Sequence, residues 1–232
     1  MKQDRNIFEG LSVIYEDNHL IAINKPAGAL VHGDETGDEP LADAVKKYIK
    51  IRYKKPGDVF LGVIHRLDRP VSGVVIFART SKALARMNKM LQEKKIVKKY
   101  LAMVSDRPEE LSGTLTHYLS KDETKNIVKA YASKKPNSKI AMLNYQQKGE
   151  LDGKILLEVE PLTGRPHQIR VQLSKIGCPI IGDLKYGATY PLQDKSIALH
   201  CQEMSFLHPV GNEPVTIKAD VPSIFPWNTF QL

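Results

Sequence analysis

The stretch VIHRLDRPVSGVVIFA, residues 63–78, carries the polar run HRLDRP between two apolar runs. Short apolar runs bounded by turn residues are typical of strands, so residues 63–64 and 73–78 predict two strands of one sheet. The polar run then forms a loop supported by that sheet, and functional side chains are commonly found on such loops. Asp68 is the acidic residue on this loop.

The charges around Asp68 are almost all positive. Between Val59 and Tyr100 the only carboxylates are Asp68 and Glu93, whereas ten residues in this range are Lys or Arg. Nearby cations favour the ionised form of a carboxyl group, so Asp68 is suited to act as a nucleophile or base. The alternative is an ordinary ion pair that holds the loop in place.

A second segment combines a single acid with several cations. PLTGRPHQIRVQLSKIGCPIIGDLKYG, residues 161–187, contains Asp183 as its only acid and opens with a Thr-Gly turn before a predicted helix. On that helix Ile169, Leu173 and Ile176 form the buried stripe, and a different face carries His167, Arg170 and Ser174. That face can direct Arg170 at a carboxylate from elsewhere in the chain, or it is simply a solvated polar face.

The rest of the chain predicts an α+β domain in which sheet dominates. A hairpin spans residues 12–25, one helix spans 41–51, and Thr80 and Ser81 cap a second helix that ends near Glu93. A third helix is expected near 167–176. Further strands are predicted at 98–104, 114–119, 140–145, 154–160, 197–201, 203–207 and 214–219. No repeat or Gly/Ser linker marks a boundary, so residues 1–232 are expected to form one catalytic domain.

Several motifs in order resemble the RluA family of RNA pseudouridine synthases. They are NKPAG at 24–28, VHG at 31–33, HRLD at 65–68, SGVV at 72–75, KKY at 98–100, TGRPHQIR at 163–170, GD..YG at 182–187 and LH at 199–200. Each motif alone is weak evidence, but the order and spacing of the motifs together are specific to the family. The resemblance implies the pseudouridine synthase catalytic fold, with a mixed, mostly antiparallel sheet, flanking helices and a central RNA-binding cleft.

The resemblance also assigns roles to individual residues. Asp68 is expected to be the catalytic aspartate, Arg170 its salt-bridge partner and Tyr100 the aromatic residue that packs on the target uracil. Arg66 is expected to enter the RNA stack after the target nucleotide has left, and Leu199 to line the pocket. Four more residues, in or directly beside the same motifs, are expected to contact the substrate RNA: His65, Arg69, Arg165 and His167. Isomerisation of uridine involves no net oxidation or group transfer, so no cofactor or metal is expected.

Two departures from the family pattern affect these expectations. The family usually has Thr-Ser before the Gly that follows its catalytic motif, and this chain has Val71-Ser72, so the hydroxyl that would form a local hydrogen bond near the loop is missing. About a dozen residues precede the first predicted strand. We therefore expect no separate N-terminal RNA-binding domain.

The overall charge favours a polyanionic partner. The chain has 34 Lys and Arg against 26 Asp and Glu, a net charge of +8, and the resemblance makes that partner ribosomal or transfer RNA. Residues 121–139 hold six lysines and two acids, so Lys134 and Lys135 are candidate phosphate contacts. A solvated hairpin is an equally good interpretation of this segment.

Other classes of protein have less support. No apolar run is long enough to cross a membrane, so we expect a cytoplasmic protein without a membrane partner. A monomer is the default expectation for its oligomeric state. Cys178 and Cys201 lack the spacing of a zinc site or a disulfide framework. GxGxxG and GxxxxGK[ST] are absent, which disfavours a nucleotide-dependent enzyme.

Two alternatives stay open. A metal-dependent nuclease would use three histidines with Asp68 or Asp183, although His65, His167 and His200 lack the usual ligand spacing. A catalytically silent RNA-binding protein on the same fold would share the basic surface and Tyr100. The target uridine cannot be read from the sequence.

Overall fold

The structure is a computed structural model that describes residues 11–33 and 37–230. Its elements, in chain order, are β1 (Ser12–Glu16), β2 (Leu20–Lys25), α1 (Leu41–Arg52), β3 (Gly62–Val63), β4 (Ser72–Ala78), α2 (Ser81–Gln92), β5 (Val97–Val104), β6 (Ser112–Asp122), β7 (Ile127–Tyr131), β8 (Lys139–Leu151), β9 (Lys154–Pro161), α3 (Gln168–Lys175), β10 (Leu199–Leu207) and β11 (Pro214–Lys218). The chain divides into two compact units. The expectation of a single catalytic domain stays a prediction.

The first unit comprises Met1–Ile96 and Glu203–Asp220. Its strands β1, β2 and β4 lie side by side and antiparallel, β3 pairs with the end of β4, and β11 pairs with the final residues of β10. All seven residues of β4 are buried, which explains the unbroken apolar run in its sequence. This buried strand supports the loop that carries Asp68.

Both helices of the first unit begin and end close to their predicted positions. α1 buries Leu41, Val45 and Ile49, as the apolar spacing predicted. The Thr80 side chain caps α2 by accepting a hydrogen bond from the Ala83 N–H at 3.2 Å. A helix N-terminus has unpaired N–H groups, and such a cap satisfies one of them.

The second unit comprises Val97–Gln202 and Val221–Leu232. Its sheet is an antiparallel series in the order β5, β9, β8, β6, β7. β7 was not predicted, because lysines dominate the sequence between residues 121 and 139. Its Val128 is nevertheless buried against Leu119, Ala141, Val171 and Tyr186.

Two further expectations, about β10 and α3, were wrong in detail. The predicted strands 197–201 and 203–207 are one strand, β10, because the polar Gln202 fits a partly buried position of a continuous strand. α3 was expected to bury one stripe, but Gln168–Leu173 are all buried and Ile176 is partly exposed. Hydrogen bonds to its polar residues make this burial possible, and a periodicity of apolar residues cannot show them.

Candidate active site

Asp68 lies on the loop between β3 and β4 in the first unit. It is partly buried, and its neighbours Leu67 and Val71 are buried, so they anchor the loop on both sides. The Val71 N–H donates a hydrogen bond to the Asp68 carbonyl at 3.0 Å, which closes a tight turn. Val71 therefore contributes apolar burial and this backbone bond at the position where the family usually has Thr.

His65 fixes the start of the same loop. Its Nε2 accepts a hydrogen bond from the Ile76 N–H at 3.1 Å, so this nitrogen carries no proton and the ring is tied to β4. Arg66 and Arg69 extend from the loop and are exposed, and Arg69 forms an ion pair with Asp38. Contact of these three basic residues with RNA stays a prediction.

Lys25 lies beside this loop, and the sequence analysis did not single it out. Its side chain is fully buried, and its ammonium donates to the carbonyls of Pro26 at 2.9 Å, Ala29 at 2.8 Å and Arg69 at 3.2 Å. Burial lowers the pKa of Lys25 to about 7, although the Asp68 carboxylate acts in the opposite direction. The sequence signal that could have identified Lys25 is its place in the NKPAG motif.

The Arg69 carbonyl receives a second hydrogen bond from the same motif. The Gly28 N–H donates to it at 2.8 Å, and Gly28 has a φ of 88°, a left-handed conformation that glycine adopts without strain. The motif at 24–28 therefore holds the backbone directly after Asp68 with two donors. This arrangement explains why a Lys and a Gly stand in that motif.

Arg170 lies on α3 in the second unit and is buried. Its Nε and one terminal nitrogen donate to the two oxygens of Asp183 at 2.7 and 2.8 Å, a bidentate pair that is almost fully inaccessible to solvent. The guanidinium also lies 5.0 Å from the ring centre of Tyr186. A guanidinium has five N–H donors, so binding Asp183 leaves donors for a second carboxylate. The expected pairing with Asp68 stays a prediction.

Asp183 is held by the backbone around it. Gly182 has a φ of 87°, and a Cβ there would lie 2.8 Å from the Ser196 carbonyl oxygen, so only glycine fits. The Ile181 N–H donates to the Met103 carbonyl at 2.9 Å, which fixes this loop to β5. The GD pair of the motif thus places a buried carboxylate opposite Arg170, a role that the sequence analysis missed.

The TGRPHQ turn before α3 is ordered by Gln168. Its Oε1 accepts from the Thr163 hydroxyl at 2.7 Å and from the Arg165 N–H at 3.0 Å, and its Nε2 donates to the Met142 carbonyl at 2.9 Å. The Arg165 side chain donates from Nε to the Ile140 carbonyl at 3.1 Å. The turn is therefore rigid before any substrate binds.

His167 precedes α3 in a left-handed conformation, with a φ of 50°. Its Nδ1 lies 2.7 Å from the Tyr186 hydroxyl oxygen, which itself accepts a hydrogen bond from the Val128 N–H at 3.0 Å. A tyrosine hydroxyl can donate and accept at the same time, so the tautomer of His167 decides which group donates in this bond. Tyr186 thus connects β7 to the start of α3.

The remaining predicted site residues lie in three places of the second unit. Tyr100 is buried in β5, and Leu199 is buried at the start of β10. Lys134 and Lys135 are exposed in the turn between β7 and β8, where the Lys135 N–H donates to the Ser138 hydroxyl at 2.8 Å. The sheet therefore presents these two lysines to solvent.

The histidines proposed for a nuclease have other contacts. His65 and His167 are bonded as described, and the His200 ring packs against Trp227 with their centres 5.8 Å apart. Within residues 11–33 and 37–230, no three or more His, Cys, Asp or Glu side chains are grouped as metal ligands. No helix in the same ranges is long and apolar enough to span a bilayer.

Comparison with known proteins decides the family. A family model described as RNA pseudouridylate synthase matches residues 19–175. A ribosomal large subunit pseudouridine synthase C of Buchnera aphidicola is 32% identical in an alignment 223 residues long, which covers 92% of this chain and 68% of that relative. The chain belongs to the RluA-type RNA pseudouridine synthases. As a member of this family it is an isomerase that acts on RNA.

Other relatives agree with this membership. The protein of the same name from Rickettsia felis is 32% identical over 92% of this chain and 68% of its own length. The chain thus spans about two thirds of the length of these relatives. Human RNA Pseudouridylate Synthase Domain Containing 4 superposes with a TM-score of 0.76 at 22% identity, covering 94% of this chain and 90% of that one. This likeness confirms the predicted fold class.

Proposed function

We propose that this chain isomerises one specific uridine to pseudouridine in structured RNA, with Asp68 as the catalytic carboxylate. Its Buchnera and Rickettsia relatives are named as ribosomal large subunit enzymes, so ribosomal RNA is the first substrate to test and transfer RNA the second. The observation that carries the proposal is the loop of Asp68, which β4 holds through His65 and the NKPAG motif holds through Arg69. Catalytic groups need such fixed positions.

Asp68 acts in its ionised form. Whether it attacks C1′, adds to C6 of the ring or removes a sugar proton, each route needs a carboxylate rather than a carboxylic acid. Arg170 favours that form by pairing with Asp68, while its Nε and one terminal nitrogen bind Asp183. The presence of both Asp68 and Arg170 argues against a catalytically silent RNA-binding protein on the same fold.

The target uridine is extruded before it reacts. Extrusion costs a few kcal/mol, which a side chain that fills the gap or stacks on the base offsets. Arg66 is exposed on the catalytic loop and fills the gap in the RNA, while Tyr100 packs on the uracil and Leu199 lines the pocket. No cofactor takes part, since the reaction leaves the oxidation state of the nucleoside unchanged.

Affinity for RNA comes from the basic surface. His65, Arg69, Arg165 and His167 contact the substrate near the target, and Lys134 and Lys135 contact phosphates further away. Phosphate contacts confer affinity and salt dependence but little choice of sequence. We further propose that residues 1–232 act as one catalytic domain, as a monomer in the cytoplasm.

The test compares purified wild-type protein with Asp68→Asn on a pool of ribosomal and transfer RNA. We expect the wild type to form pseudouridine and Asp68→Asn to form none, because an amide cannot replace the ionised carboxylate. Asp152→Asn is the matched control, since Asp152 is exposed with a φ of 51° that asparagine also adopts. Activity that disappears on chelation with EDTA supports the nuclease, and product from neither wild type nor variant supports a silent binder.

A further inference from the structure

Lys98 shares a strand face with the proposed uracil-stacking residue. β5 runs from Val97 to Val104, and side chains alternate between the two faces of a strand, so Lys98 and Tyr100 point to the same side. Their Cα atoms are about 6.7 Å apart along an extended strand. Lys99 and Leu101 point to the other side. The ammonium of Lys98 is thus within reach of a base that packs on Tyr100.

The surroundings of this ammonium differ from those of the other buried lysine. Lys98 is partly buried, and burial lowers its pKa, although Cys201 acts in the opposite direction. Lys25 donates to three carbonyls, whereas Lys98 has neither a hydrogen bond nor an ion pair with the part of the chain that the structure describes. A desolvated ammonium without an acceptor is unfavourable. The ammonium of Lys98 in β5 is therefore suited to donate a hydrogen bond to an acceptor atom of a bound ligand.

We infer that Lys98 donates a hydrogen bond to a carbonyl oxygen of the target uracil and stabilises the negative charge that the ring acquires during the reaction. This assignment rests on the proposed function, because the base must first pack on Tyr100. It adds a catalytic residue from the second unit whose contribution does not depend on the route that Asp68 follows.

The chemistry of the reaction requires such a group. When the C1′–N1 bond breaks, its electron pair stays with the uracil, and the charge spreads over N1, O2 and O4. The ring turns, C5 forms a bond to C1′, the proton on C5 leaves, and N1 gains a proton, so atoms and charge balance. A cation fixed beside O2 or O4 lowers the barrier because the charge it meets is larger in the transition state than in the bound substrate.

A phosphate of the RNA backbone is the alternative acceptor, and the structure favours the uracil. Lysines that bind phosphates at a surface stay solvated, as Lys134 and Lys135 are. Lys98 is instead partly buried beside a buried aromatic residue. Desolvation weakens its interaction with water and strengthens its interaction with a charge that develops in the same site.

The test measures single-turnover pseudouridine formation and RNA affinity for Lys98→Met, with Lys98→Gln as the second variant. We expect Lys98→Met to lower the single-turnover rate by about 100-fold, the usual effect of removing one donor to a developing anion, and to leave the Kd for RNA unchanged. Lys98→Gln keeps an N–H donor without the charge, so its rate should lie between those of the wild type and Lys98→Met. The melting temperature of Lys98→Met should equal or exceed that of the wild type, because an unpaired ammonium is removed.

Replacing one carbonyl oxygen of the target uracil tests which atom Lys98 contacts. A short RNA carrying 2-thiouridine or 4-thiouridine at the target site replaces one carbonyl oxygen with sulfur, a weaker acceptor. The wild type should slow on one of these RNAs, and Lys98→Met should show no further slowing on that RNA. Lys95→Met is the control, since Lys95 is an exposed lysine paired with Glu93 just before β5 and should keep both rate and affinity.

Two results would overturn the assignment. A wild-type rate in Lys98→Met removes Lys98 from the chemistry, and weaker RNA binding with an unchanged rate identifies a phosphate contact. Both leave the proposed function intact, because they need a wild type that forms pseudouridine. A wild type without activity on any RNA instead contradicts the proposed function itself.

Discussion

At the scale of single residues, the candidate site depends on buried ionisable groups that are paired or hydrogen-bonded. Asp183 binds Arg170 with both oxygens, and Lys25 binds three carbonyls around the loop of Asp68. Burying a charge is costly unless it is paired, so each group stays in place only while its partners remain. These two residues therefore hold the groups that are proposed to be catalytic, and this role needs no contact with the substrate.

Replacing Asp183 should show this dependence. Asp183→Asn keeps the shape of the side chain but leaves the Arg170 guanidinium buried with a neutral partner, and breaking a buried pair in this way costs about 3 kcal/mol. We expect the free energy of unfolding in urea to fall by that amount and the rate of pseudouridine formation to fall as well. Glu150→Gln is the control, because its pair with Arg107 is exposed and should contribute under about 1 kcal/mol. Equal losses in the two variants would contradict the account.

Lys25 should make stability depend on pH. Its pKa is lowered to about 7 in the fold and is about 10.4 in an unfolded chain, so between these values the unfolded state binds a proton that the folded state lacks. The free energy of unfolding should therefore rise with pH from 7 to 10, by at most about 1.4 kcal/mol per pH unit from this residue. Urea unfolding at several pH values should show a smaller rise for Lys25→Met than for wild type. Parallel curves for the two proteins would show that Lys25 does not titrate in this range.

The sequence singled out the residues proposed to react, but not most of the residues that hold the structure around them. Asp68 stood out because it is the acid among cations, and Arg170 because of its place in a motif. Asp183, Tyr186 and Lys25 act through bonds to atoms distant in the sequence. Residue types and spacing do not identify hydrogen-bond partners that are distant in the sequence, so only the structure revealed them.

At the scale of elements, β7 changes the interpretation of the lysine-rich segment. Lys121–Lys139 contains the end of β6, all of β7 and the start of β8, so it is part of the sheet. Its Val128 is buried, and the Val128 N–H donates to Tyr186, while Lys134 and Lys135 remain exposed at the turn. The segment thus presents its lysines from a fixed base.

Removing three of these lysines should weaken RNA binding in a salt-dependent way. Each phosphate contact contributes about 0.7 to 0.9 to the slope of log K against log salt concentration. The variant with Lys134, Lys135 and Lys139 all changed to Ala should lose about two units of slope in binding titrations. A variant with Lys50, Lys54 and Lys55 changed to Ala removes the same charge from exposed positions elsewhere and should keep the slope. An unchanged slope in the first variant would assign its three lysines to solvation alone.

Elements with clear apolar periods were predictable, and those shaped by polar contacts were not. α1, α2 and β4 follow the spacing of their buried residues closely. β7 was missed because one buried valine among lysines gives no periodic signal. α3 was found, but its burial on several sides depends on hydrogen bonds of residues such as Gln168, which hydrophobic spacing does not register.

At the scale of the whole molecule, the family was the most predictable property. The order of eight short motifs pointed to RNA pseudouridine synthases, and the family model over residues 19–175 confirmed it. The two compact units were not predicted, because no change of composition marks them. β10 begins in one unit and ends in the other, so the sequence offers no linker between them. Net charge of +8 fits an RNA substrate but does not select one.

Mapping pseudouridine in total RNA tests the central claim most directly. Cells that lack this protein would be complemented with the wild type or with Asp68→Asn, both confirmed to accumulate as folded protein. We predict that one uridine site is pseudouridine with the wild type and remains uridine with Asp68→Asn. Full modification of that site by Asp68→Asn would contradict the account, because the reaction would then proceed without the Asp68 carboxylate.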